Sequence, residues 1–482
     1  MNNIKNSYCK VEQSTETLSS STGKELKENT VNGMSWEIGK KLSTLGEAPS
    51  ISPYSTLQLS NKSFETLEAD FTDTPDLICL SHLRWDFVYQ RPQHLLSRCA
   101  QERRVFFIEE PVFSPNASER LDISSRECGV WVVVPHLSEG LSESASWAAQ
   151  RVLIDNLFAQ AQIREYILWY YTPMAMAFTR HLEPLVVIYD CMDELSLFQG
   201  APCALKELET ELFSRADLVF TGGQSLYEVK RDRHPHVYAF PSSIDCTHFT
   251  KARTLIQEPK DQVNIPHPRL GFFGVIDERM DLELLSGIAE AQPDWHLVII
   301  GPVVKIDPAV LPRHQNIHYL GGKSYQNLPD YIAGWDVALL PFVCNSSTRF
   351  ISPTKTPEYL AAGKPVVSTS IHDVVRPYGQ LGLVRIADTV PEFVAAASAA
   401  MNESDASGWL CQVNAFLAQI SWDRTWAQMM QLVESVISDR LHVASSEALK
   451  SRQDASTAAT HAAQGTGVSV LQKNNYVTFT AP

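Results

Sequence analysis

The sequence predicts an α/β protein made of two doubly wound parallel-sheet domains that face a cleft, with disordered N- and C-terminal extensions. Three observations carry this expectation. The chain has 482 residues, enough for two separate cores plus tails. From Asp76 onward short apolar runs alternate with longer helical patterns, the mark of parallel strands covered by helices on both faces. After a polar stretch containing Pro259, Pro266 and Pro268 the same pattern starts again.

Residues 1–72 are rich in Ser, Thr, Asn, Lys and Glu, with few aromatics and no sustained apolar periodicity, so a disordered extension is expected there. The first domain, 73–250, has strand candidates at Leu77 to Leu80, Val105 to Ile108, Val130 to Val134, Ile167 to Tyr171, Leu185 to Tyr189, Leu218 to Thr221 and Val237 to Phe240. Helix candidates between them are Pro92 to Gln101, Ala145 to Gln162, Leu205 to Arg215 and Ser225 to Arg231. Residues 251–268 read as a linker. The second domain, 269–420, places strands at Leu270 to Phe273, Leu297 to Ile300, Ile317 to Leu320, Val337 to Leu340, Pro365 to Ser368 and Leu383 to Ile386. Its helices fall near Leu282 to Ala291, Leu328 to Ala333, Thr356 to Ala362 and Pro391 to Met401. Each half is Rossmann-like. In 421–440, Trp422, Trp426, Met429, Val433 and Val436 recur at helical spacing and predict a packing stripe. From 441 to 482 the Ser, Ala, Gln and Thr content predicts a loose tail.

A formal charge of -15 argues against a nucleic-acid partner, because backbone phosphates need clustered positive charge. The nine cysteines form no Cys-x-x-Cys pair, so they read as reduced and mostly structural. No secretory signal or bilayer-length apolar run is seen. A cytoplasmic protein is expected, with peripheral contact to the inner membrane face left open through one amphipathic surface.

The densest local signal is Ser352-Pro353-Thr354-Lys355-Thr356-Pro357-Glu358-Tyr359-Leu360-Ala361-Ala362-Gly363-Lys364-Pro365-Val366-Val367. It reads as loop, short helix, turn and strand. Thr356 is a cap candidate, Pro357 suits a first helical position, and Gly363 a left-handed end. Lys355 beside unpaired backbone N–H groups suits a phosphate. Glu358 either complements the helix dipole or accepts hydrogen bonds from the vicinal hydroxyls of a ribose.

Taken whole, this string resembles the nucleotide-sugar binding segment of retaining glycosyltransferases of group 1 type, which are built from two Rossmann-like domains in the GT-B architecture. The resemblance implies that Glu358 holds the ribose and that Lys355, with Ser352 in the same loop, faces the diphosphate or the departing sugar. It also implies a second Glu eight positions before Glu358, where Phe350 stands, so contact to the donor sugar would pass to Asn345, Ser346 or Ser347.

Further candidates lie in loops after strands, where open parallel sheets bind ligands. The loop Ser81 to Gln90 after the first strand offers His82, and Arg91 beyond it, to a cleft; its alternative is a loop packed by Trp85 and Phe87. Asp190, Asp193 and Glu194 follow the strand ending at Tyr189, and a cleft would use one carboxylate to orient an acceptor hydroxyl; the alternative is a solvated turn or cap. By resemblance Asp193 takes the place of a family His, and Asp193 and His82 are the catalytic candidates. In the second domain Gly274 permits a tight turn, and Arg279 reaches a diphosphate unless it only pairs with Asp277 or Asp281. Arg349 adds a third positive group. Together these cations would neutralise a leaving nucleoside diphosphate with no metal and no cofactor.

The resemblance thus implies a hexosyltransferase that moves sugar from a nucleoside-diphosphate sugar to a carbohydrate or glycolipid acceptor in polysaccharide or glycolipid synthesis. Two alternatives stay open: a nucleotide-sugar epimerase or sugar phosphorylase on the same fold, and a catalytically inactive nucleotide- or sugar-binding module.

Overall fold

The computed structural model describes residues 74–115, 118–255, 257–403 and 406–465. The extension expected over 1–72 lies outside them. The first half contains β1 (Asp76–Leu80), α1 (Arg91–Cys99), β2 (Val105–Ile108), β3 (Val112–Ser114), β4 (Arg120–Ser125), β5 (Val130–Ser138), α2 (Glu143–Gln160), β6 (Tyr166–Tyr170), β7 (Val186–Cys191), α3 (Leu205–Arg215), β8 (Leu218–Thr221), α4 (Gln224–Lys230) and β9 (Val237–Ala239). The second contains β10 (Arg269–Phe273), α5 (Leu282–Ala291), β11 (His296–Ile300), β12 (Ile317–Gly321), α6 (Leu328–Ala333), β13 (Val337–Leu340), α7 (Lys355–Ala361), β14 (Val366–Ser368), β15 (Arg385–Ile386), α8 (Val390–Met401) and α9 (Ala406–Leu417). A final helix, α10, runs over Trp422–Gly465.

Strands β1, β2 and β6 to β8 are apolar and buried along nearly their whole length because helices cover both faces of the sheet. The first sheet has the order β3-β5-β2-β1-β6-β7-β8-β9, with β4 antiparallel on β5. The second has the order β12-β11-β10-β13-β14-β15 with every pairing parallel, the doubly wound Rossmann arrangement. In such sheets strand order reverses at one point and opens a crevice at the carboxyl ends of the strands. Here that point lies between β1 and β6 in one half and between β10 and β13 in the other. The loops after those strands are the ones that carry His82, Gly274 and Lys355.

The helix around Glu358 departs from the expected start. It begins at Lys355 with no side-chain cap, so Thr356 lies inside the helix, and its buried hydroxyl has no partner among the described residues. Its end matches the expectation: Gly363 has φ +74, its N–H donates to Leu360 O at 2.9 Å, and the Lys364 N–H donates to Tyr359 O at 3.0 Å. Among the elements named above, β3, β4 and α9 were not anticipated. The last helix also continues past residue 440 to Gly465, where a loose tail was expected.

Trp422, Trp426, Met429, Met430 and Val433 of α10 are buried in the core of the first half with Leu77, Trp169 and Ile188. Arg98 pairs with Asp423 at 2.6 Å, and Arg440 reaches Asp217 and Leu185 O. The helix that follows the second half therefore packs on the first. Among the described residues, no helix is long and apolar enough to cross a membrane, and the cysteines are free thiols.

Candidate active site

Lys355 and Glu358 sit one turn apart on α7, which the loop after β13 delivers to the switch point of the second sheet. Their placement depends on the loop after β10. Gly274 has φ +140, and a Cβ there would lie 2.1 Å from Lys355 Cε. Gly301, after β11, has φ +147, and its Cβ would lie 1.8 Å from Gly274 O. Two glycines at adjacent strand ends thus let three segments close over the lysine stem. Lys355 Nζ stands 5.7 Å from the centre of the Phe272 ring.

Burial dominates the electrostatics of this pair. It pushes the Lys355 ammonium down to about 8 and the Glu358 carboxyl up to about 8, while their mutual attraction opposes both shifts. Glu358 is buried, and its Oε2 has no hydrogen-bond partner among the described residues. The Tyr325 hydroxyl is likewise buried and unpartnered, and the charges of Glu358 and Asp245 help raise its pKa. Tyr325 stacks on His248 at 4.4 Å and, across the two halves, on Tyr89 at 4.3 Å.

Arg279 is clamped by Asp277, with Nε to Oδ1 at 3.0 Å and Nη2 to Oδ2 at 2.6 Å. The ion pair raised as an alternative for Arg279 therefore exists, yet the cation still influences Asp193 across the cleft. Burial raises the Asp193 carboxyl, while Arg279, Lys305 and Lys355 pull it back. Phe198, on the same first-half loop as Asp193, lies 5.6 Å from Arg279 Cζ and 5.6 Å from Lys305 Nζ. On the opposite loop His82 is pushed down to about 4 by burial, with a hydrogen bond at the Tyr171 backbone opposing and Lys305 adding to the shift. Its Nδ1 is buried and unpartnered, and the ring is neutral at physiological pH.

The structure brings His82, Asp193, Gly274, Arg279, Lys355 and Glu358 to one cleft, and three other candidates elsewhere. Arg91 is 2% exposed and fully engaged: it bonds both Asp190 oxygens through Nε and donates to Phe240 O at 2.7 Å. A buried ion pair of that kind ties helix α1 to strand β7. Arg349 is exposed and lies over Phe350, with Cζ 5.3 Å from its ring. Ser352 lies at the contact between halves, where its carbonyl accepts from Ser242 Oγ at 3.1 Å. Phe350 itself packs on the apolar core of the first half. Asn345 Oδ1 is occupied by the N–H groups of Ser347 and Thr348 and by the Ser347 hydroxyl.

Sequence reasoning passed over Glu110, Lys305 and Tyr325. Glu110 follows β2, and burial pushes its carboxyl up to about 7. Each lies just beyond a strand end in the same edge of loops, and that position was the available signal. Among the described residues no group of three or more His, Cys, Asp or Glu side chains is placed to hold a metal ion.

Comparison with known proteins fits this geometry. Residues 267–403 match the family model described as glycosyl transferases group 1, a segment that contains Gly274, Arg279, Lys355 and Glu358. Over 243 residues the chain is 26% identical to TuaH of Bacillus subtilis (strain 168), named a teichuronic acid biosynthesis glycosyltransferase; the match covers 45% of this chain and 59% of TuaH. The chain therefore spans about three fifths of that relative. Among solved structures it resembles sucrose-phosphate synthase from Thermosynechococcus elongatus, with a TM-score of 0.56, 13% identity, and coverage of 76% of this chain and 100% of the other. It also resembles Anabaena HepE in complex with UDP, with a TM-score of 0.52, 12% identity, and coverage of 75% and 100%. The protein has the GT-B fold, two Rossmann-like domains about a cleft, and its second domain carries the group 1 glycosyl transferase match.

Proposed function

We propose that this protein moves a hexosyl group from a nucleoside-diphosphate sugar to an acceptor hydroxyl, with retention at the anomeric carbon, in the synthesis of a polysaccharide or glycolipid. One observation carries the reading: a buried cation and a buried, unpartnered carboxylate oxygen stand one helical turn apart at the crevice of the domain that matches group 1 glycosyl transferases. A buried carboxylate oxygen without a partner costs stability unless a ligand supplies donors, and ribose hydroxyls are such donors. In this reading Glu358 holds the ribose, and Lys355 and Arg279 hold the diphosphate. The UDP bound in the HepE structure and the name of TuaH support the donor class and the polysaccharide setting.

The bond from the anomeric carbon to the diphosphate oxygen breaks, and its electron pair leaves with the diphosphate. Lys355 and Arg279 stabilise that developing charge inside a water-poor cleft, where fixed cations act strongly. The acceptor oxygen bonds to the anomeric carbon from the face of the departing phosphate, which takes the hydroxyl proton. Asp193 and His82, on loops of the opposite domain, orient the acceptor.

The test is an assay of nucleotide release from a panel of nucleoside-diphosphate sugars with saccharide acceptors, with the product anomer read by NMR. Acceptor-dependent release with retained configuration is expected. Conversion of donor alone points instead to an epimerase, and an inverted product contradicts retention. Asp193→Ala should lower turnover about 100-fold with little change in nucleotide affinity.

A further inference from the structure

We propose that Lys305 recognises the acceptor, and that the acceptor sugar carries an anionic group, a carboxylate or a phosphate. The inference rests on the sugar-transfer reading and names the acceptor class that it leaves open.

Lys305 lies in the loop after β11, in the second domain, with φ +63, a backbone region that lysine rarely takes. The loop is pinned there by a bridge between Ile276 and Val303 and by the Val304 N–H donating to Ile276 O at 3.0 Å. The local cost of this conformation, on the order of 1 kcal/mol, is sustained by the fold around it. The Lys305 Nζ stands 5.6 Å from the Phe198 ring of the first domain. There its charge acts on His82, Glu110 and Asp193, which sit on the loops after β1, β2 and β7.

A lysine whose charge reaches two carboxyl groups can pair with one of them. Neighbouring cations do so: Arg84 with Glu109 at 2.8 Å, Arg279 with Asp277 at 2.6 Å and Lys230 with Glu194 at 2.6 Å. Lys305 is exposed and has no carboxylate within ion-pair distance among the described residues; its ammonium lies against the Phe198 ring instead. Burial also keeps Glu110 partly protonated near neutral pH, which weakens its repulsion of an incoming anion. In a chain of net charge -15, an anionic acceptor needs such a local cation to approach. The His82 Nδ1 beside it remains for a sugar hydroxyl.

The test is calorimetric titration of the full chain, saturated with UDP or GDP, using glucuronate, glucose 6-phosphate and glucose. At least one anionic sugar should bind about tenfold tighter than glucose, and the arm that does so identifies carboxylate or phosphate. Lys305→Ala should abolish the preference, Lys305→Arg should keep most of it, and both should bind the nucleotide within about twofold of wild type. Equal binding of all three sugars by the wild type, or a preference that survives Lys305→Ala, overturns the proposal. The nucleotide titration, run first, shows separately whether the donor reading stands.

Discussion

Lys355 and Glu358 hold opposite charges that burial drives toward neutrality, and this makes the site sensitive to pH in a definite direction. An anionic diphosphate stabilises the protonated ammonium, so binding raises the Lys355 pKa above its free value of about 8. Above pH 8, where Glu358 is already ionised and has no proton to release on meeting the ribose, the complex should therefore take up protons at Lys355. Affinity should fall as pH rises further, because an increasing fraction of free protein must first protonate. Titrations in buffers of different ionisation enthalpy should show the uptake in the wild type and lose it in Lys355→Met; enthalpies independent of buffer would contradict the assignment. That these two residues share a helix turn was legible because they are near in sequence. The Arg91 ion pair was not legible for the opposite reason: the carboxylate that engages it, Asp190, is 99 positions away. Lys305 and Tyr325 carry no local motif, and only folding sets them opposite groups from the first domain.

At the scale of elements, the loops after β10, β11 and β13 meet because Gly274 and Gly301 have no side chains. Gly274→Ala would force aside Lys355, whose far end can move, and would strain a φ of +140 that alanine rarely adopts, so it should cost about 1 kcal/mol of stability while nucleoside diphosphate affinity falls about tenfold or more. Gly301→Ala meets backbone instead, at a φ unsuited to alanine, and should cost about 3 kcal/mol of stability. Thermal unfolding and nucleotide titration of both variants separate these outcomes; equal loss of stability in both would refute the distinction. The strands of both sheets were readable because buried parallel strands are continuous apolar runs. Strand β4, Arg120–Ser125, is half-exposed on an antiparallel edge and offers only a weak alternation, and the α7 start shifted to Lys355 because tertiary packing buries Thr356 where a cap would face solvent.

Across the whole molecule the two domains are joined by more than a linker. Asp373 of the second domain accepts from the Ser225 N–H at 3.0 Å, and so caps helix α4 of the first, whose own N-cap, Gly223, has no side chain. Close approach requires that glycine, since a Cβ would meet Asp373 Oδ2 at 2.2 Å and Ser352 Cβ at 3.0 Å. Arg376 adds an ion pair to Glu228 at 3.0 Å. The contact holds the loop that leads to Lys355 against the first domain. Asp373→Ala should speed hydrogen exchange of the α4 amides and lower stability by about 1 kcal/mol. Unchanged exchange over 224–230 would show that the cap does not couple the halves. Sequence periodicity describes each domain alone and does not show which side chains meet at this junction.

In the proposed function Lys355 and Glu358 form a nucleoside diphosphate site. Its most direct test is calorimetric titration with the diphosphates of uridine, guanosine, adenosine and thymidine, on wild type, Lys355→Ala and Glu358→Ala. One base should be favoured, and each substitution should weaken its binding about tenfold or more. Absence of binding to every nucleotide, or binding that neither substitution alters, would contradict it.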